Sequence, residues 1–492
     1  MKQFLHIPLI LFFLLVSISC QDQLDIPPAS LTEEGFFADE AEFERAVYGV
    51  YQKLIFLYNY RGGNWLHDVW LLPGDDLTTQ GPYPFETFAT LNATNGDVSN
   101  LFQFLYQVIA RANIVLLKQT ERPEAYESEE VKNHHQGEAL FLRGYANFLL
   151  WNHFETAPLV TERITDSEDA KVPNSSGTQL LDQAIADFQE AAGLLPQSWS
   201  DELLGRVTAG AAHGMAGKAL LYRATINQDD GDYQASISEL DQVTGYELLP
   251  VFGDNFDEAL EHNAESVFEI QFGKNNVNNV WLNNDAFSVV GDLGGFWGFF
   301  DGHWSMFGSR NLESTESLRN TFEPGDPRIA DTYDSANVKK YVVRPRSNGS
   351  PDHFNNARIL RYADVLLMKA EALNESGGST QEALELVNSI RDRARMSDSV
   401  ATVPMALNTD IADRNEIRQL IMDERRRELA FEGGNRWYDL RRWHKAGFIN
   451  LANWDFNTVR TDFDFDVDKH LVLPLPASEI VLNGNLNQNA GY

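Results

Sequence analysis

Cysteine is nearly absent from this chain: Cys20 is the only one in 492 residues. No internal disulfide is therefore possible, and the fold must rest on packing. Basic residues are scarce too, with 39 Lys and Arg against 72 Asp and Glu, a formal charge of −33. Such a surface repels nucleic acid and anionic headgroups and makes a polyanionic ligand a poor fit. No Pro-, Ser- or Gly-rich linker divides the chain. Length alone would suggest two to four domains, but without a linker the reading is one folded unit over residues 38–492. Enzymatic signatures are missing as well. "GMAGKA" (214–219) fails as a phosphate loop, because Ala212 stands at the first glycine position and Ala219 follows Lys218. No H-E-x-x-H occurs, and the adjacent His134 and His135 point to different helix faces, so they cannot form that zinc pair. G-x-S-x-G is also absent. The expectation is a protein that is not an enzyme and uses no cofactor and no catalytic metal.

What is present begins with "MKQFLHIPLILFFLLVSISC". The apolar run over 7–16 is shorter than the about 20 residues that span a bilayer, and with Lys2 before it the segment fits a secretory signal over 1–19. Cys20, directly after Ser17-Ile18-Ser19, resembles the lipidation box of bacterial lipoproteins. Acyl chains there, at roughly 0.8 kcal/mol per buried methylene, would anchor the chain without a transmembrane helix. Residues 20–37 then form a tether.

At 43% hydrophobic residues the composition is globular. Apolar spacing of 3.6 predicts helices over 40–58, 100–118, 137–154, 178–195, 208–227, 232–243, 361–375, 380–396 and 413–432. Gly377-Gly378 ends one of these, and Ser379 with Glu382 forms a capping box for the next. Small residues recur along them (Ala139, Gly144, Ala146; Ala212, Ala216, Ala219; Ala363, Ala370, Ala372), as stacked helix hairpins require. The stretch 246–360 differs: short β-like runs at 267–272 and 340–343 lie among many Asn and Gly. It reads as an irregular insertion, and loops this long are usually functional.

Two acidic clusters need a reading. In "DERRRELAFEGGNRWYDLRRW" (423–443), Glu424, Glu428, Glu432 and Asp439 could do acid/base work, but ion pairing that orders neighbouring helices, with Asp423 to Arg427 at i,i+4, accounts for them better. Trp437 and Trp443 are assigned to the core. "DFDFDVDK" (462–469) alternates carboxylates on one strand face, read as solvated in preference to calcium-binding.

"RYADVLLMKAEALNE", "ERRRELAFEGGNRWYDLRRW", the terminal "NLNQNAGY" and "EALFLRGYANFLLWNHFETAPLV" (138–160) together resemble the SusD/RagB family of Bacteroidetes outer-membrane lipoproteins. Glu155-Thr156 stands where that family commonly has Gly-Asp. The resemblance implies a mainly α fold: a right-handed superhelix of about four tetratricopeptide-like helix pairs carrying an irregular, loop-rich ligand-binding half. It also implies a lipid-anchored place on the outer face of the outer membrane and a SusC-like TonB-dependent transporter as partner. The work would be capture and delivery of oligosaccharides. Peptide cargo on the same architecture, or a tetratricopeptide-type protein–protein scaffold, are the alternatives.

The family's motifs name no ligand residues, so these are argued from chemistry. Sugars present apolar C–H faces and polar edges, which aromatic rings and Asp or Asn side chains match. Three of ten tryptophans, Trp281, Trp297 and Trp304, fall within 24 positions around Asp292, the last two inside "GDLGGFWGFFDGHWSMFG" (291–308). A second candidate surface is the loop over 64–88, with Trp70, Asp75, Asp76, Tyr83 and Phe85.

Overall fold

Helices carry the architecture because nearly every predicted periodic segment has a start signal in front of it. In the computed structural model, residues 35–58, 66–79, 81–272, 312–342, 355–456 and 460–492 are described. The long helices are α1 (Glu40–Ile55), α2 (Gly96–Glu121), α3 (Glu129–Phe154), α4 (Gln179–Leu194), α5 (Ala209–Asn227), α6 (Asp230–Leu240), α7 (Tyr362–Glu375), α8 (Thr380–Met396), α9 (Arg414–Leu429) and α10 (Asn435–Lys445). Asp39, Asn95, Ser128, Thr208, Asp229, Ser379 and Asp413 cap seven of them by accepting an orphan backbone N–H. Ser128 and Asn95 also explain why α3 and α2 begin earlier than their apolar periodicity alone suggests.

The capping box is half made. Ser379 Oγ accepts from Glu382 N at 3.1 Å, whereas the Glu382 carboxylate turns to Lys369 at 3.1 Å.

Successive helices pack on one another: α1 on α2, α2 on α3, α3 on α4, α4 on α5, α5 on α6 and α7 on α8. The small residues do what close approach demands. A Cβ on Gly144 would sit 3.0 Å from Asp187 Cβ and 3.2 Å from the Ala184 carbonyl, and one on Gly217 would meet Leu240 at 2.6 Å. One core runs from α1 to α6 and out to Leu475; a second is shared by α7, α8 and α9.

Strands are short. β1 (Leu77–Thr78), β3 (Glu313–Ser314), β4 (Tyr333–Asp334) and β5 (Asn337–Val338) form a sheet of order β1-β3-β5-β4. β2 (Ser266–Ile270) pairs antiparallel with β6 (Ala357–Arg361), Ser266 opposite Arg361 and Glu269 opposite Arg358, with a register break between. The strand expected at 340–343 is instead a turn at Lys340 and Tyr341. Tyr341 has φ +66°, which extended backbone does not allow, and the buried Lys340 ammonium donates to the Glu428 and Ala430 carbonyls.

The Arg-rich motif is a buried ionic core, not a surface lattice. Glu428 accepts from Arg361 at 3.0 Å, from Arg328 at 3.2 Å and from Arg393; Glu424 takes Arg328 at 2.7 Å and Arg391 at 2.8 Å. Arg425 bridges Asp439 and Asp364, each at 2.8 Å. The Asp423 to Arg427 pairing does not form: Arg427 bonds Glu424, and Asp423 accepts from Gln419. α9 ends at Leu429 because Phe431 (φ +66°), Gly433 and Gly434 turn the chain into α10, a helix the periodicity did not resolve.

Trp437 and Trp443 are buried, as expected. Residues 462–469 alternate with the carboxylates outward and Phe463 and Phe465 packed against Phe88 and Phe456. The terminal motif is pinned to the end of α3: Asn489 donates to the Phe154 carbonyl at 2.9 Å and accepts from Thr156 Oγ1 at 2.5 Å. Glu155, in the positive-φ position, takes Arg441 and Lys445. Thr156 and Glu155 thus each have a bonding role at this turn.

Candidate ligand-binding surface

Four of the five residues expected to face a ligand from the 64–88 loop are interior. Trp70, Asp75, Asp76 and Phe85 expose 2%, 1%, 3% and 1% of their surface. The Trp70 ring is stacked on Tyr58 (centroids 5.0 Å, 26°) and meets His153 edge-on at 5.2 Å, so its faces are already covered by the scaffold. Phe85 belongs to the main core.

The two aspartates are anchors. Asp75 accepts from Arg436 Nε at 2.6 Å and Nη2 at 2.9 Å, and from the Trp454 indole N–H at 3.1 Å. Asp76 accepts from Arg426 Nε at 2.8 Å. Burial alone would raise both carboxyls. At Asp75 the Arg436 and Arg426 charges overcome that and hold it well below the usual carboxylate range. At Asp76, burial together with the neighbouring Asp75 charge wins over Arg426, and its pKa is raised. Neither carboxylate is free to bond a sugar edge.

These anchors position something else. The Asp76 carbonyl accepts from Thr315 N at 2.9 Å, the Asp75 carbonyl from Thr315 Oγ1 at 2.6 Å, and β1 pairs antiparallel with β3, Leu77 opposite Ser314. β3 begins at Glu313, so this strand lies directly beside the 64–88 loop. Sequence reasoning missed the loop's true fasteners, Arg426, Arg436 and Trp454. The signal for the two arginines lay in the motif assigned to helix ordering; Trp454 lies outside it.

Tyr83 alone of the five keeps exposed surface. Its ring lies over Gly81, where a Cβ would come within 2.6 Å of Tyr83 Cε2, so a larger residue there would displace the ring. Trp281, Asp292, Trp297 and Trp304 lie outside the described residues, as do Cys20 and the signal segment. Among the described residues no group of His, Cys, Asp and Glu is arranged to hold a metal ion.

Known proteins match this arrangement from end to end. A family model described as the SusD family matches residues 297–492, and one described as "Starch-binding associating with outer membrane" matches 83–221. SusD-like protein P2 of Formosa agariphila is 27% identical over 521 residues, spanning 97% of this chain and 98% of that protein. SusD-like protein P38 of the same organism is 26% identical across 100% of both. Among solved structures, a SusD superfamily protein from Bacteroides vulgatus superposes with a TM-score of 0.73 at 24% identity, covering 93% of this chain and 100% of that one. A laminarin-binding SusD-like protein superposes with a TM-score of 0.72 at 25% identity, covering 92% and 100%. With two SusD-type family models matching separate parts of the sequence and relatives matched over its whole length, the chain is similar throughout to the SusD/RagB family, whose fold it shares.

Proposed function

We propose that this protein is a cell-surface lipoprotein, anchored through Cys20 in the outer membrane, that captures oligosaccharides and delivers them to a SusC-like TonB-dependent transporter. It binds without catalysing. Trp281, Trp297 and Trp304 supply the stacking surface, Asp292 and Tyr83 the polar edge. The observation that supports this reading is the β1–β3 pairing, which sets the chain from position 313 beside the connection that carries Tyr83. A relative that binds laminarin and a family described by starch binding support a neutral glycan as cargo.

The test is calorimetric titration of laminarin and starch oligosaccharides into wild type, Trp297→Ala and Trp304→Ala. Each substitution should weaken binding by about 1 kcal/mol or more, with the thermal midpoint nearly unchanged. Binding of peptides but of no glycan would refute the reading. A tagged chain should co-purify a TonB-dependent transporter from detergent-solubilised outer membranes; recovery of a different partner instead would favour the scaffold alternative.

A further inference from the structure

Away from the β1–β3 base, the fold holds an open cleft of about 570 Å³. That is within the roughly 300–1,000 Å³ of small-molecule sites. Its walls are the 197–208 connection between α4 and α5, the turn at 244–246 after α6, and β2 with the turn before it. None of its lining residues belongs to the surface described above.

Two aromatic rings in this cleft are fixed in place without any ligand. The half-buried Trp199 donates its indole N–H to the Val207 carbonyl at 2.8 Å and lies against the Arg206 guanidinium, 4.4 Å from the ring centroid. Tyr246 shares a 3.0 Å hydrogen bond with Thr208, and its ring packs over Gly210, where a Cβ would come within 2.6 Å. Gln271 is seated the same way over Gly205, which has φ +93° and whose added Cβ would meet Gln271 Cδ at 2.6 Å. Gln197, Ser198 and Thr244 stand exposed at the rim. Ring faces flanked by hydroxyls and amides match the apolar faces and polar edges of a sugar, and fixed rings lower the ordering cost of binding.

Charge narrows the ligand. Arg206, the arginine in the lining, is committed to Glu138, with Nε to Oε1 at 2.7 Å and a second bond from Nη2, and it reaches Glu44 at 3.2 Å. Glu269, also in the lining, is buried and equally committed, 3.4 Å from Arg358 Nε and accepting from Asn356 Nδ2 at 2.9 Å. The cleft therefore offers a ligand neither an uncommitted arginine nor an uncommitted glutamate, which favours a neutral one.

We infer that this cleft is a second carbohydrate subsite, taking neutral glycosyl units that stack against Trp199 and Tyr246 and hydrogen-bond to the rim at Gln197, Ser198 and Thr244. The choice of ligand class rests on the glycan reading above; the site itself does not depend on Trp297 or Trp304. Two separate sites on one chain would hold a long glycan at two points and raise its effective concentration at each.

The test is ¹⁹F NMR of full-length protein in detergent, labelled with 5-fluorotryptophan, the resonances assigned by single Trp→Phe substitutions. The probes are neutral laminari-, cello-, xylo- and manno-hexaoses. At least one should shift the Trp199 resonance saturably. That shift should persist in the Trp297→Ala/Trp304→Ala double variant and vanish in Thr244→Arg, which plugs the exposed rim without altering the thermal midpoint. Trp199 unmoved by every probe, a shift lost in the double variant, or a shift that survives Thr244→Arg would each overturn the subsite. If Trp297 or Trp304 shifts while Trp199 does not, the subsite falls and the proposed function stands. If Trp199 alone shifts, the subsite stands and the principal surface has been misplaced.

Discussion

Replacing Trp70 by alanine separates the two roles an aromatic in the 64–88 loop could have. At 2% exposure, with Tyr58 stacked on one face and His153 against it edge-on, the indole is a structural part of the α1–α3 core. Truncation leaves a cavity lined by both rings, and Trp→Ala at such a site costs about 3–5 kcal/mol. Against a total of roughly 5–15 kcal/mol that is a large fraction. The indole N–H has no acceptor among the described residues, so Trp70→Phe gives up area but no hydrogen bond. It should cost less, about 1–2 kcal/mol. Urea unfolding followed by far-UV circular dichroism should rank wild type above Trp70→Phe above Trp70→Ala, with glycan affinity of the folded fraction unchanged in both variants. A Trp70→Ala protein with the wild-type midpoint and no glycan binding would refute the assignment of this ring to the core.

Glu428→Gln keeps the shape but removes the charge that Arg361, Arg328 and Arg393 share, and breaking such a buried cluster should cost about 3–5 kcal/mol by urea unfolding; a loss under about 1 kcal/mol would mean that neighbouring carboxylates compensate. Stability should also fall on acidification. Burial, with the Arg441 charge nearby, pushes His153 down to about 3, so between there and its ordinary value near 6.5 the unfolded chain binds a proton that the folded one refuses. The contribution is complete above pH 6.5 and is lost progressively below it, about 2 kcal/mol by pH 5, and His153→Gln should flatten that part of the curve. Asp364 is opposed by burial but held down to about 2 by Lys218 and Arg425, so its share is present above its ordinary pKa and disappears below pH 4. A midpoint constant from pH 7 to 4.5 would contradict the histidine assignment. Gly217→Ala gains about 1 kcal/mol of helix propensity. Its Cβ would nevertheless strike Leu240 at 2.6 Å, where Gly217 also accepts Ser236 Oγ at 2.7 Å. Overpacking at about 1–3 kcal/mol should outweigh the gain, and a raised thermal midpoint would show that the α5–α6 contact can relax.

The helices were legible because their information is local: apolar spacing, a capping side chain and a glycine stop all lie within one segment. α10 escaped because it is buried all round, with Asp439, Arg441 and Arg442 interior beside Trp437, Tyr438, Leu440 and Trp443, and a search for apolar periodicity does not register positions satisfied by ion pairs. The 64–88 loop fails for the same physical reason at longer range. Asp75 and Asp76 sit in a segment with no nearby positive charge, and so read as solvent- or ligand-facing; their partners, Arg426 and Arg436, come about 350 residues later. The Arg-rich motif carried the complementary sign of error. Its charges were credited to pairing within the motif, whereas Arg426 and Arg436 leave it for the loop and Glu428 draws on Arg361, Arg393 and Arg328 from outside. A local charge imbalance is therefore not a sign of exposure in a chain this long. The excess acid of one segment and the excess base of another are jointly evidence of contact between them, and here that contact fastens the loop that carries Tyr83 to α9 and α10.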